Sequence, residues 1–240
     1  VVGPDVPLRL LRGLAAQPDS VVDDALQLLQ ATELLYEARV APEPVYAFQH
    51  SLVHDVAYQS LLRQTRHELH RRAVVLLEAQ MAVDVAAQSQ LVDSVEPLAR
   101  HALLGELWEP AVRYLQQAGM RAFARGSNAE AVVALDQAIA ASEHLPQERS
   151  TIERAIDLRL ALRSALLNCG EFARTLACVR EAERLAESLG DHQRLAQAKF
   201  FLCLHLYLRG EHGAAVRAGQ QAQALTAARD PILHALAAYL

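Results

Sequence analysis

From Trp108 onward, apolar residues recur every three or four positions in long stretches separated by short polar breaks. That period marks amphipathic helices, each burying one face. Three of the breaks carry a glycine, Gly126, Gly170 and Gly210, at spacings of 44 and 40 residues. Five residues beyond each comes a small residue (Ala131, Thr175, Ala215), and seven further on comes alanine (Ala138, Ala182, Ala222). A glycine there ends one helix in a left-handed cap. The small residues, seven apart, share one face of the next helix and let its partner approach closely. The pattern predicts helices at about 108–125, 128–144, 148–169, 172–188, 191–209 and 212–227. Pro146 and Pro231 punctuate two repeat ends, and Ile232 begins a further helix without its partner.

The pattern changes before Trp108. Val6-Pro7-Leu8-Arg9-Leu10-Leu11 reads as a short helix, and a second starts at Asp19, with Ser20 and Asp23 at capping-box-like spacing. Residues 35–40 and 45–48 read as two short strands around the proline-rich Pro42-Glu43-Pro44 turn. Helices follow at about 51–62 and 65–80. Helix, helix, hairpin, helix is the order of a winged-helix domain. The expected architecture is mostly α: a winged-helix-like domain with a small β-hairpin over 1–80, a helical linker over 81–107, and repeats over 108–240, the last one truncated.

Composition agrees. Hydrophobic residues make up 52% and charged residues 21%, enough for a packed core, and aromatics are only 5%, thin for an all-β core. The net charge of −5 disfavours a nucleic-acid surface. The helix before the hairpin carries Asp23, Asp24 and Glu33 and no Arg or Lys, so it lacks the cations that phosphates require. No apolar run is long enough to span a bilayer. Cys169, Cys178 and Cys203 form no CxxC pair and fall at apolar helical positions. They read as small buried hydrophobes in a cytoplasmic protein, with modest exposure open to Cys169 because it directly precedes a cap glycine. Both ends look cut from a longer chain.

The glycine and alanine intervals resemble the tetratricopeptide (TPR) consensus, with Phe172 at its aromatic position and Asn128 and His212 departing from it. A weaker unit precedes them at Trp108-Glu109-Pro110-Ala111, Leu115 and Ala118. Stacked TPR pairs form a right-handed superhelix that binds a protein or peptide in its groove. Lys199 is the chain's only lysine, so a lysine clamp on a peptide terminus is not expected.

The run Tyr46-Ala47-Phe48-Gln49-His50-Ser51-Leu52-Val53-His54-Asp55-Val56-Ala57-Tyr58, continuing to Arg66-His67-Glu68-Leu69-His70-Arg71-Arg72, resembles one group of bacterial STAND-type signalling ATPases. That group includes proteins with class III adenylate cyclase domains and LuxR-type transcription regulators. The resemblance implies an AAA-like ATPase core upstream in the same chain, then this winged helix, then a TPR superhelix. No GxxxxGK[ST] loop occurs here, so ATP or ADP would belong to that absent core and this fragment holds no cofactor. The family's winged-helix histidine contacts the β-phosphate of ADP. His50, after the wing and at the start of a helix, stands in the matching place, although Gln49 and Ser51 depart from the family motif. The resemblance makes this fragment a sensor rather than an enzyme, with a protein partner on the superhelix, no nucleic acid and no membrane. The alternative is a TPR scaffold with no nucleotide link.

Other chemistry is thin. The His50/His54 and His67/His70 pairs have helical ligand spacing, but neither gathers the acidic or Cys partners that zinc needs. Arg63, Arg66, Arg71 and Arg72 read as a solvated face paired with Glu68 and Glu78. Ser51 and Ser60 lie near histidines without a nucleophile elbow.

Overall fold

The structure, a computed structural model, describes residues 1–3, 5–40, 43–86 and 95–226. It divides into two compact units, Val1–Ala111 and Val112–Leu240.

The first unit runs β1 (Asp5–Pro7), α1 (Leu8–Ala15), α2 (Asp19–Ala31), β2 (Leu35–Arg39), β3 (Val45–Phe48), α3 (Ser51–Ser60), α4 (Arg63–Ala86) and α5 (Val95–Leu104). The hairpin is in fact part of a three-stranded antiparallel sheet of order β1-β3-β2. Val6 and Pro7, expected in a helix, pair as a strand with Tyr46 and Val45. Proline fits that place because it tolerates a short edge strand and then leads into α1 as the residue before its first turn. Val22, Leu26 and Leu35 form the core beneath the sheet, with Leu8, Leu11, Tyr46 and Phe48 packed on them. The capping box does not form: Pro18 precedes α2, and no side chain caps it. Asp23 instead takes both oxygens to the Arg12 guanidinium, at 2.8 and 3.0 Å, tying α1 to α2.

Within this unit α5 packs on α4. Arg71 Nε donates to the Gly105 carbonyl at 2.7 Å, and Arg72 donates to the Gly13 carbonyl at 3.0 Å. Gly13 itself is needed for contact: a Cβ there would lie 2.7 Å from Leu76 Cδ1 on α4.

The second unit is an array of antiparallel helical hairpins. Its elements are α6 (Trp108–Ala124, which enters from the first unit), α7 (Asn128–Ser142), α8 (Arg149–Asn168), α9 (Phe172–Leu189), α10 (His192–Leu208) and α11 (His212–Thr226). From α7 to α11, each helix packs on its sequence neighbours. Pro231 and the segment from Ile232 lie outside the described residues.

The turn glycines sit at φ +81 (Gly126), +75 (Gly170) and +77 (Gly210), and an added Cβ would meet nothing within 4 Å at any of them. Their requirement is therefore conformational, not spatial. Around Gly126 the Ser127 N–H donates to the Ala122 carbonyl at 2.9 Å, and Glu171 and Glu211 repeat that bond to Leu166 and Leu206 at 2.9 Å each. This six-to-one closure satisfies carbonyls that a helix end otherwise leaves open.

Beyond the turns, Ala131, Ala138, Ala182, Ala215 and Ala222 are buried. Thr175 is buried too, and its hydroxyl donates to the Glu171 carbonyl at 3.0 Å, which lets a polar side chain occupy an alanine slot. One close approach has no counterpart in the glycine-turn pattern. Gly119 on α6 faces Leu135 on α7, and a Cβ on it would lie 2.7 Å from Leu135 Cγ.

Lys199 on α10 is spent inside the array. Its Nζ lies 2.5 Å from Glu183 Oε1 on α9, with side-chain exposures of 14% and 11%. Removing one member of a shielded pair strands the other's charge, while removing both can be nearly neutral. Lys199→Met is therefore expected to cost about 3 kcal/mol in urea unfolding of the chain, with Lys199→Met/Glu183→Leu recovering most of it. Equal losses in the single and double variants would show that the pair is not the source.

Candidate functional site

Counting back six, three and two residues from each turn glycine gives one register on the first helix of each hairpin. These positions are Met120, Phe123 and Ala124 on α6, Ser164, Leu167 and Asn168 on α8, and Leu204, Tyr207 and Leu208 on α10. None carries a charge. Met120, Phe123, Tyr207 and Leu208 are exposed, and Leu167 and Leu204 are half-buried. The repeats hold these helix ends in place through contacts between hairpins. Asn168 donates to Asn128 Oδ1 at 3.1 Å, and the Arg163 guanidinium lies 3.7 Å from the Phe201 ring centroid.

The other ends of these helices differ. Arg194 grips both oxygens of Asp157 at 2.8 Å each and also pairs with Asp191 at 2.8 Å. Arg149 pairs with Glu153 at 2.8 Å. One end is thus a network of mutually satisfied charges, while the glycine-turn end carries the apolar positions beside the Arg125–Glu130 and Arg209–Glu211 pairs. Such positions take apolar side chains. The glycine register contained this row, but reading it requires knowing which helix face remains open. Lys199, bound to Glu183, is not part of it.

In the first unit, His50 is exposed and occupies the N-cap position of α3, at φ −137 and ψ 138, with no side-chain capping bond. Its carbonyl accepts from the Val53 N–H at 3.0 Å. The ring does not pin strand to helix. Phe48 edge-on to His54 at 5.3 Å joins strand to helix, while the Gln49 N–H, donating to the Leu34 carbonyl at 3.1 Å, extends the β2–β3 pairing.

The other histidines of the motif turn inward. His54 stacks on Tyr58 with ring centroids 6.4 Å apart, and the Tyr58 hydroxyl lies 3.0 Å from His70 Nε2. His70 Nδ1 meets His101 Nδ1 at 2.8 Å. His70 and His101 are 1% and 2% exposed. Burial, then His101 and nearby cations, pushes His70 down to about 3. Burial, then Arg100, pushes His101 down to about 4. Both rings are therefore neutral near pH 7.

Several expectations need correction. Arg63 pairs not with Glu68 but with Glu106 at 2.9 Å, and Glu68 instead accepts from Gln64 at 3.0 Å. Arg71 and Arg72 bond to backbone carbonyls, and Arg66 lies over the Tyr58 ring. These arginines are structural ties because helices α1 and α5, distant in sequence, close onto α4. Cys169 is exposed, Cys178 is half-buried and only Cys203 is buried. Cys169 is the α8 C-cap residue, where the chain leaves the core. Phe172, at the TPR aromatic position, is the first residue of α9 and is exposed. Among the described residues, no three His, Cys, Asp or Glu come together as a metal shell, and no helix is long and apolar enough to cross a membrane.

No family model matches the chain. An uncharacterized protein of Rhizobium meliloti (strain 1021) is 32% identical over 142 residues, which is 58% of this chain. The match spans 13% of that protein's length. The crystal structure of aspartyl phosphate phosphatase F from Bacillus subtilis superposes with a TM-score of 0.49 at 9% identity. That alignment covers 86% of this chain and 51% of the other.

Because the apolar row contributes little to packing, Met120→Ser, Phe123→Ser and Leu208→Ser should each shift unfolding stability by less than about 0.5 kcal/mol. Leu135→Ala, in the core of the same array, should cost about 2–5 kcal/mol. Denaturant midpoints distinguish the two classes.

Proposed function

We propose that this chain is the sensor and transducer segment of a STAND-type signalling ATPase. Its helical hairpins, continued as a TPR superhelix, take a protein partner. The sheet-bearing unit, read as a winged helix, couples that event to the nucleotide state of an ATPase core in the same polypeptide. The observation that carries the binding role is the set of exposed apolar side chains Met120, Phe123, Tyr207 and Leu208 at the glycine-turn ends, with half-buried Leu167 and Leu204 in the same register. A face of that kind is costly to leave in water and suits an apolar segment of a partner.

The coupling role draws on the Phe48–Arg72 motif and on the placement of His50. An exposed imidazole beside the free N–H groups of a ten-residue helix is suited to a phosphate, which the helix dipole also favours. The small share of the Rhizobium protein that the match spans fits a segment of a large multidomain protein.

The test joins the chain to its upstream core. His50→Ala should weaken ADP binding by about tenfold, the worth of one charge-assisted hydrogen bond. Phe123→Asp/Leu208→Asp should abolish partner capture while ADP affinity holds. Unchanged ADP affinity and basal output in His50→Ala would remove the nucleotide link and leave a plain TPR scaffold. Partner capture that survives the two aspartates would remove the assignment of the face.

A further inference from the structure

The first unit contains a buried polar contact that neither partner binding nor nucleotide sensing uses. His70 on α4 and His101 on α5 face each other through their Nδ1 atoms at 2.8 Å, and His70 Nε2 meets the Tyr58 hydroxyl of α3 at 3.0 Å. Two ring nitrogens at that distance share one proton. One Nδ1 donates and the other accepts, and two N–H groups cannot point at each other across it. The contact therefore tolerates a neutral pair, or one extra proton on an Nε2, but not two imidazolium rings.

We propose that His70 is a proton-operated latch for α3: while the ring is neutral, bonded to His101 and buried beneath Tyr58, α3 stays seated on α4, and proton uptake by His70 favours the state in which α3 has opened.

The element released follows from how α3 is held. Among the described helices it alone has no buried residue. Leu52 and Val56 point into solvent, at 71% and 59% exposure. Its attachments are the Tyr58–His70 bond, the Phe48–His54 edge contact and Arg66 over the Tyr58 ring, 5.2 Å from its centroid. An element with so little apolar burial opens at low cost, and one lost buried hydrogen bond is a large part of that cost.

The surroundings set the sign. The side-chain charges acting on His70 are all positive: His101, Arg100 and His67. From α3 it faces Tyr58, with His54 stacked behind. Glu106 reaches His67 at 3.4 Å and is already paired with Arg63. Burial, with no counter-charge on His70 to stabilise an added proton, is why both rings titrate far below the ordinary histidine value. With α3 opened, His70 is hydrated and returns toward about 6.5. The released state thus binds more protons, so the latch is at full strength above about pH 6.5 and weakens as pH falls toward 4.

The experiment is hydrogen exchange on the full chain at pH 7 and pH 5, corrected for intrinsic rates. Protection of the α3 amides, residues 51–60, should fall by about tenfold or more at pH 5. Protection in α8 should stay within about twofold, since no buried histidine pair holds it. In His70→Gln/His101→Gln, whose amides can hydrogen-bond but not titrate, α3 protection should change less than about twofold over the same range. A wild-type α3 that stays protected at pH 5, or a variant that loses protection as the wild type does, overturns the latch. Should the variant fail to fold, imidazole nitrogen shifts of the wild type decide. Both rings doubly protonated with α3 still protected is the overturning result, and α3 exchange that tracks their protonation supports the latch.

Discussion

The second unit rests on how closely two helix backbones can approach. Where Gly119 meets Leu135, and where Ala131, Ala138, Ala182 and Ala222 are fully buried, a larger side chain would force the helices apart. Close approach in turn fixes where each hairpin must reverse, and the left-handed glycines supply that reversal without strain. The rest follows from these two conditions. With the backbones close, Ile156, Leu160, Val179 and Leu202 fill the spaces between helices. With the reversals in register, the same helix face of each hairpin is left open.

The first unit depends instead on contacts between residues distant in sequence. Strand β1 joins β3 across some forty residues, and Arg71, Arg72 and His70 tie α4 to partners outside its own helix. Polar contacts at its helix junctions supplement its apolar core. Such contacts specify one arrangement but contribute less net stability per contact than apolar burial does.

This difference explains what was legible in the sequence. The helix ends of the array came within one or two residues because glycine turns and apolar periodicity are local signals. Gly190, at φ +64, closes α9 in the same way but stood outside the repeating interval. Gly119 passed unnoticed because its reason lies on the facing helix. Strand β1 was unreadable: three residues carry no period, and a proline beside leucines looks like a helix start. The His70–His101 contact joins residues 31 apart, and only the first was singled out, as one of a helical pair. The exposed row was half visible, since the register was known but not which side remains open.

The ion pair between Lys199 and Glu183 has a chemical consequence. Lysine occurs once in the chain, and its amine sits behind two helices at 14% exposure. Every other basic side chain is a guanidinium or an imidazole. The outer surface thus has no lysine nucleophile for acyl transfer, ubiquitin conjugation or amine-directed cross-linking. Its arginines also keep their charge across the whole physiological range, so its cationic character varies with pH only through histidine.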